Sequence, residues 1–244
     1  MRMTPTRNAT TACVVARGAG ARYLATGHHA HDGDDLAARA HAELAASMPT
    51  WLAQELRSDL AGETGAVWIY RGARWATRAR PRRYNATRQD TAAADTQALL
   101  AFIAEHEATE AEHLDLLEKA GAPRSLLLPL WTALGFGLGF LPTLVGPTAF
   151  YHTTVAVESF VESHYNAQLD RLARDGMQDT HRAVAELLAR CCEDEVKHKE
   201  EAAERAAQGG GAAAGAAEPS LAVRAWSAVV DVGSRAAVAV CKRV

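Results

Sequence analysis

Two Glu-x-x-His tetrads, Glu110–His113 and Glu195–His198, occur in this 244-residue chain, and the pattern occurs nowhere else in it. Residues three apart share one face of an α-helix, so each tetrad offers a carboxylate and an imidazole to the same point in space. Candidate helices run over 48–76, 92–120, 147–175 and 177–207, with the tetrads on the second and fourth. The first and third each carry a glutamate among apolar or small neighbours: Glu63 after Asp59-Leu60-Ala61-Gly62, and Glu158 after Val155-Ala156-Val157. The order is therefore Glu, Glu-x-x-His, Glu, Glu-x-x-His. Four-helix bundles that hold two iron or two manganese ions draw their ligands from this arrangement. The expected fold is all-α, with Glu63, Glu110, His113, Glu158, Glu195 and His198 around a pair of metal ions. Hard carboxylate oxygens with two imidazoles suit redox-active iron and leave positions open for dioxygen. One tetrad alone is a weak signal, and solvated helix faces account for Glu105, Glu107, Glu112 and Glu118. They do not account for Glu158, which ends an uncharged stretch where an unpaired carboxylate is costly.

Composition agrees with helices. Only 8 prolines and 6% aromatics accompany 48% hydrophobic residues, alanine prominent among them. A net charge of -3 speaks against a protein organised around nucleic-acid phosphates. Four scattered cysteines, Cys13, Cys191, Cys192 and Cys241, make no disulfide framework. The charge is uneven, however. Residues 1–31 contain no acid, only Arg2, Arg7, Arg17 and Arg22 among Ala, Thr and Gly, so 1–47 reads as an organelle transit peptide or disordered leader. His28, His29 and His31 lie at its edge with no periodic scaffold to fix metal geometry. A second acid-free run over 71–89, with Arg71, Arg74, Arg78, Arg80, Arg82, Arg83 and Arg88 around Pro81, reads as an insertion in a loop or frayed helix end. Its charges suit either anionic headgroups or solvent.

Residues 126–151 are apolar enough to suggest a membrane span, but Pro129, Pro142, Pro147 and four glycines divide them. A broken hairpin of hydrophobic pieces is the expectation. Residues 208–218, which include Gly209-Gly210-Gly211, read as a flexible linker. Beyond it, Leu221, Val223, Trp226, Val229, Val230 and Val240 share a segment with Arg224, Asp231 and Arg235, which predicts an amphipathic helix that closes the bundle or lies in a membrane interface.

From about residue 56 to the end, the chain resembles the demethoxyubiquinone hydroxylases, membrane-bound di-iron monooxygenases of ubiquinone biosynthesis. The resemblance rests on 59–65 with Ile69-Tyr70, on 110–114, and on Pro129-Leu130-Trp131 with Leu134-Gly135-Phe136. It continues in 154–158, in His164-Tyr165-Asn166 with Gln168, and in Asp194-Glu195 with His198. It implies a ferritin-like bundle over 48–244 and two iron ions on the six residues already named. It also implies O2-dependent ring hydroxylation of a polyprenyl methoxy-benzoquinone.

The implied electron source is NADH, although no Gly-x-Gly-x-x-Gly fingerprint is present. The implied setting is peripheral, on the matrix side of the mitochondrial inner membrane, or the cytoplasmic side of a bacterial membrane, with a lipid-binding partner protein and no nucleic acid. The His164-Tyr165 pair looks like part of the route for electrons or of substrate ordering. Tyr165, seven residues after Glu158, borders the metal cavity while His164 points elsewhere. Glu162 shares the face of Glu158 and is expected to support the ligands from behind. Three positions depart from the family pattern: Leu60 and Lys199 where histidine is expected, and Ser159 where a second Glu is expected. The alternatives are a ferritin-like iron-binding or peroxide-consuming protein with no organic substrate, and a non-catalytic scaffold of a quinone-biosynthesis complex.

Overall fold

The computed structural model describes residues 30–79, 89–209 and 220–244, and all regular structure among them is helical. The helices are α1 (Ala30–Ala46), α2 (Thr50–Ala79), α3 (Gln89–Lys119), α4 (Leu128–Val145), α5 (Pro147–Arg174), α6 (Arg182–Gly209) and α7 (Leu221–Cys241). Helices α2, α3, α5 and α6 form the bundle, in which α2 packs with α3 and α5 with α6. Two apolar clusters hold it together, and on each of these helices the glutamate of interest falls between them. On α2, for example, Leu52, Leu56 and Leu60 belong to one cluster and Ile69, Tyr70 and Ala73 to the other, with Glu63 in between. Burying a leucine contributes roughly 1.5–3 kcal/mol. The two clusters thus offset the cost of enclosing carboxylates at the waist.

Residues 126–151 turn once, at Gly146, from α4 into α5. Pro129 lies in the first turn of α4, where no intrahelical N–H is needed, and Pro142 lies in its last turns. Gly135, Gly137 and Gly139 do not divide the helix as their number suggested. A Cβ at Gly135 would overlap the carbonyl of Gly65, one at Gly139 the carbonyl of Ile69, and one at Gly72 the carbonyl of Phe136. These three glycines let the backbones of α2 and α4 touch, which no larger residue permits. The opposite face of α4 presents Leu130, Leu134, Leu141, Leu144 and Val145 outward. Among the described residues it is the one helix long and apolar enough to cross a bilayer, by length and composition.

Helix α7 begins at Ser220, whose Oγ accepts the Val223 N–H. It is docked by Trp226, whose indole donates to Thr153 Oγ1 at 2.9 Å, and by buried Val230 and Cys241. Lys242 reaches Glu55 at 2.6 Å, and the Leu126 N–H donates to the Val244 carbonyl, so the end of the chain is pinned to α2 and to the start of α4.

One expectation about the chain's organisation needs correction, and another is narrowed. Residues 30–46, grouped with the leader, form α1, which buries Leu36, Ala37, Ala40 and Leu44 against the bundle. Its Glu43 carboxylate accepts the Ala183 and Val184 N–H groups at 2.9 and 3.1 Å, capping the N-terminus of α6. The acid-free composition ends at residue 31, and the segment after it has its own helical apolar stripe. Of the two readings of the Arg-rich run, a loop or a helix end, its first part takes the second. Arg71, Arg74 and Arg78 are on the last turns of α2, where Arg71 Nε and Arg74 Nη1 pair with Glu107 at 3.1 and 2.7 Å. Arg80, Arg82, Arg83 and Arg88, the leader's His28 and His29, the His31 side chain and the linker beyond Gly209 lie outside the described residues.

Candidate metal centre

The six residues singled out from the sequence converge at the bundle's waist. Each is at most 6% exposed. Their ligand atoms form two overlapping sets, Glu63–Glu110–His113–Glu195 and Glu110–Glu158–Glu195–His198, with the atoms of each set within 4.8 Å of one another. The tetrad glutamates Glu110 and Glu195 belong to both sets, while Glu63 with His113 and Glu158 with His198 each belong to one. Both imidazoles turn Nδ1 inward. His113 Nδ1 is 3.3 Å from Glu195 Oε1, and His198 Nδ1 is 3.0 Å from Glu110 Oε1. His113 Nε2 is 3.3 Å from Asp194 Oδ2, so a carboxylate orients this ring from behind.

Both oxygens of Glu110 and of Glu195, Glu63 Oε2 and the two inward Nδ1 atoms are buried without a hydrogen-bond partner. Leaving so many acceptors dry is expensive, and a pair of divalent cations satisfies all of them at once. Without cations, protons compensate. Burial, followed by Glu195 and Glu110, raises the Glu158 carboxyl well above its usual range. Burial works against charging His198, but the carboxylates of Glu110 and Glu195, 3.0 and 3.5 Å from its Nδ1, outweigh it and push its pKa up to about 10. His113 is raised likewise against its burial, by Cys191, Asp194, Glu110 and Glu195. The residues present fit two hard or borderline cations, iron among them.

Tyrosines hold the two outer glutamates in place. Tyr165 on α5 donates a hydrogen bond to Glu63 Oε1 on α2, and Tyr70 on α2 donates one to Glu158 Oε1 on α5 at 3.2 Å. Each tyrosine follows its own helix's glutamate by seven residues and braces the other's. Tyr165 was expected beside the metal cavity and is there; the bracing role of Tyr70 was missed, although the repeated Glu-x6-Tyr spacing was visible in the sequence.

A cavity of about 500 Å³ reaches the centre. Glu63, Glu110, Glu158, Glu195 and Tyr165 line its inner end, and Leu134, Leu138, Phe160, Trp226, Val229 and Val238 its apolar walls. His164 was expected to point elsewhere; it lines the same cavity, with Nε2 3.1 Å from Asp59 Oδ1 and 3.2 Å from Ser58 Oγ. Asp59 also accepts from Gln168 Nε2 at 2.8 Å. Glu162 is in neither ligand set and instead pairs with Lys199. The three departures from the family pattern miss the centre as well. Leu60 is fully buried in the apolar core, Ser159 bonds the Val155 carbonyl, and Lys199 is the partner of Glu162.

A helical bundle with a doubled carboxylate–histidine set at its waist defines the di-metal class of ferritin-like proteins. Within that class, residues 50–241 match the family described as "Ubiquinone biosynthesis protein COQ7", and the chain belongs to that family. Among its relatives is the Caenorhabditis elegans NADPH-dependent 3-demethoxyubiquinone 3-hydroxylase, mitochondrial. It is 26% identical over 207 residues, which cover 83% of this chain and 96% of the worm protein. The Dictyostelium discoideum protein of the same description is 32% identical over 146 residues, 59% of each chain. The Rhodospirillum rubrum 3-demethoxyubiquinol 3-hydroxylase is 35% identical over 124 residues, 49% of this chain and 51% of the bacterial one.

Proposed function

We propose that this chain is a di-iron monooxygenase that hydroxylates the ring of a polyprenyl methoxy-benzoquinone, acting as a 5-demethoxyubiquinone hydroxylase in ubiquinone biosynthesis. The observation that carries the proposal is the pair of ligand sets, joined through Glu110 and Glu195, at the inner end of an apolar cavity. The names of the worm, Dictyostelium and bacterial relatives support the substrate class. Glu63, Glu110 and Glu195 with His113 would hold one ion, and Glu110, Glu158 and Glu195 with His198 the other. Bound there, two iron ions supply the activation of dioxygen. The electrons come from a reduced nicotinamide, NADH on the sequence reading, NADPH in the names of the worm and Dictyostelium relatives.

The chain's own residues then do the rest. The apolar walls exclude water and accept the isoprenoid-bearing ring, and Tyr165 fixes Glu63 at the cavity's inner end. His164, on the same wall, orders the ring's oxygens, held by Asp59 and Ser58. The outward leucines and valines of α4 and α7 enter one leaflet, so the protein is peripheral to the mitochondrial inner membrane on its matrix side, or to a bacterial membrane on its cytoplasmic side. A lipid-binding protein delivers the substrate. A family member that only stored iron or consumed peroxide has no use for an apolar cavity at the metal centre.

The test is a quinone profile of cells lacking the gene, complemented with wild-type chain or with Glu195→Ala. Accumulation of the demethoxy quinone, reversed by the wild type alone, is expected. An unaltered profile, or full rescue by Glu195→Ala with its metal lost, refutes the assignment.

A further inference from the structure

The two halves of the centre are built alike but open differently, and the difference involves Tyr70. Its ring is 1% exposed, edge-on to Phe150 with centroids 6.0 Å apart and 5.7 Å from the His106 ring. Tyr165 is equally buried, yet it borders the cavity, and Tyr70 is not among the cavity's lining residues. Both hydroxyls donate to a glutamate that belongs to a single ligand set: Tyr165 to Glu63 of the His113 set, Tyr70 to Glu158 of the His198 set. A terminal carboxylate has a soft last torsion and two equivalent oxygens. A buried hydroxyl that takes Oε1 leaves Oε2 for the ion and keeps the carboxylate from swinging away. On Glu63 that is the arrangement present, with Oε2 buried and without a hydrogen-bond partner.

We infer that Tyr70 is a positioning residue for the metal position built on Glu158 and His198, and that it acts on that position alone. Tyr165 performs the same service for the Glu63–His113 position and meets the substrate as well. This inference rests on the di-metal reading of the site. Hydrogen bonds to charged groups, and outer partners of metal ligands, carry about 10- to 100-fold effects on metal affinity. The two positions therefore differ in what sustains them: one tyrosine is sealed in the core, and the other also borders the substrate cavity.

The experiment is an anaerobic titration of the full-length chain in detergent with Co²⁺, followed by its d–d absorption and by competition with a chelator. Tyr70→Phe keeps the ring and its packing and removes only the hydroxyl. It is expected to weaken one of two equivalents by at least about 10-fold and leave the other unchanged. The affected position is identified in single-position backgrounds. With His113→Gln the effect of Tyr70→Phe persists, and with His198→Gln it disappears; Tyr165→Phe gives the reverse pattern. Equal weakening of both equivalents, which general destabilisation produces, overturns the inference, as does no weakening of either. Failure of the wild-type chain to bind two equivalents refutes the di-metal reading itself, a different outcome. Steady-state kinetics give an independent check: Tyr70→Phe saturated with iron retains the wild-type KM for quinone, and Tyr165→Phe raises it.

Discussion

Replacing Gly139 by alanine tests the backbone contact between α2 and α4. In the middle of a helix the substitution by itself stabilises by about 1 kcal/mol, because alanine loses less backbone freedom. At Gly139, however, the added Cβ overlaps the Ile69 carbonyl and crowds its carbon and Cα, all backbone atoms of α2 that no side-chain rotation can clear. The helices must separate. Overpacking of this kind costs roughly 1–3 kcal/mol and more where the backbone itself is the obstacle. The net expectation is a loss of about 2 kcal/mol, or roughly 4–8 °C in thermal midpoint for a chain of this size. Gly137 on the same helix is the control. A Cβ there meets nothing within 4 Å, so Gly137→Ala is expected to raise the midpoint by about 2–4 °C. Differential scanning calorimetry in detergent measures both. Metal content is expected to stay at wild-type level in Gly139→Ala, because α4 contributes no residue to either ligand set. If the two alanine variants shift the midpoint in the same direction, the close-contact reasoning fails.

Glu195→Ala removes a residue common to both ligand sets and is expected to abolish metal binding, whereas Glu63→Ala leaves about one ion per chain; metal analysis by mass spectrometry that found equal losses would contradict the sharing of Glu195. Glu158 and both histidines hold protons more firmly than usual in the absence of a cation, so an incoming ion must displace them. Metal affinity is therefore predicted to rise with pH, by about tenfold per unit for each proton released, and calorimetric titration in buffers of different ionisation enthalpy reads that release directly. A pH-independent affinity would show that the centre is not protonated when empty. Glu43→Ala uncaps α6 and is expected to cost about 1 kcal/mol, seen as a midpoint lowered by a few degrees. An unchanged midpoint would mean that this cap contributes nothing to stability.

The ligands were legible because their pattern is local. Glu110 with His113 and Glu195 with His198 lie on one helix face whatever the helix packs against, and the isolated Glu63 and Glu158 complete an order found in four-helix bundles with paired metal ions. Other features were ambiguous for equally physical reasons. Helix α1 follows an acid-free stretch rich in alanine and threonine with scattered arginines, and its leader-like composition hid Leu36, Ala37, Ala40 and Leu44 as a core stripe. The glycines of α4 carried the ordinary meaning of breakers, and only the presence of α2 behind Gly135 and Gly139 makes those two contact residues instead.

By itself, then, the sequence determined the all-helical class, the six carboxylates and imidazoles that meet at the waist and the apolar character of α4 and α7, since each follows from helical periodicity or composition along one segment. The tertiary structure alone decided which glutamates belong to both sets, which tyrosine braces which carboxylate, that His164 lines the apolar cavity, and that α1 belongs to the bundle. These are relations between residues far apart in the chain. Tyr165 reaches Glu63 and Tyr70 reaches Glu158 only once the bundle has brought α2 and α5 to face each other across its waist, and periodicity within either helix carries no information about its distance from the other.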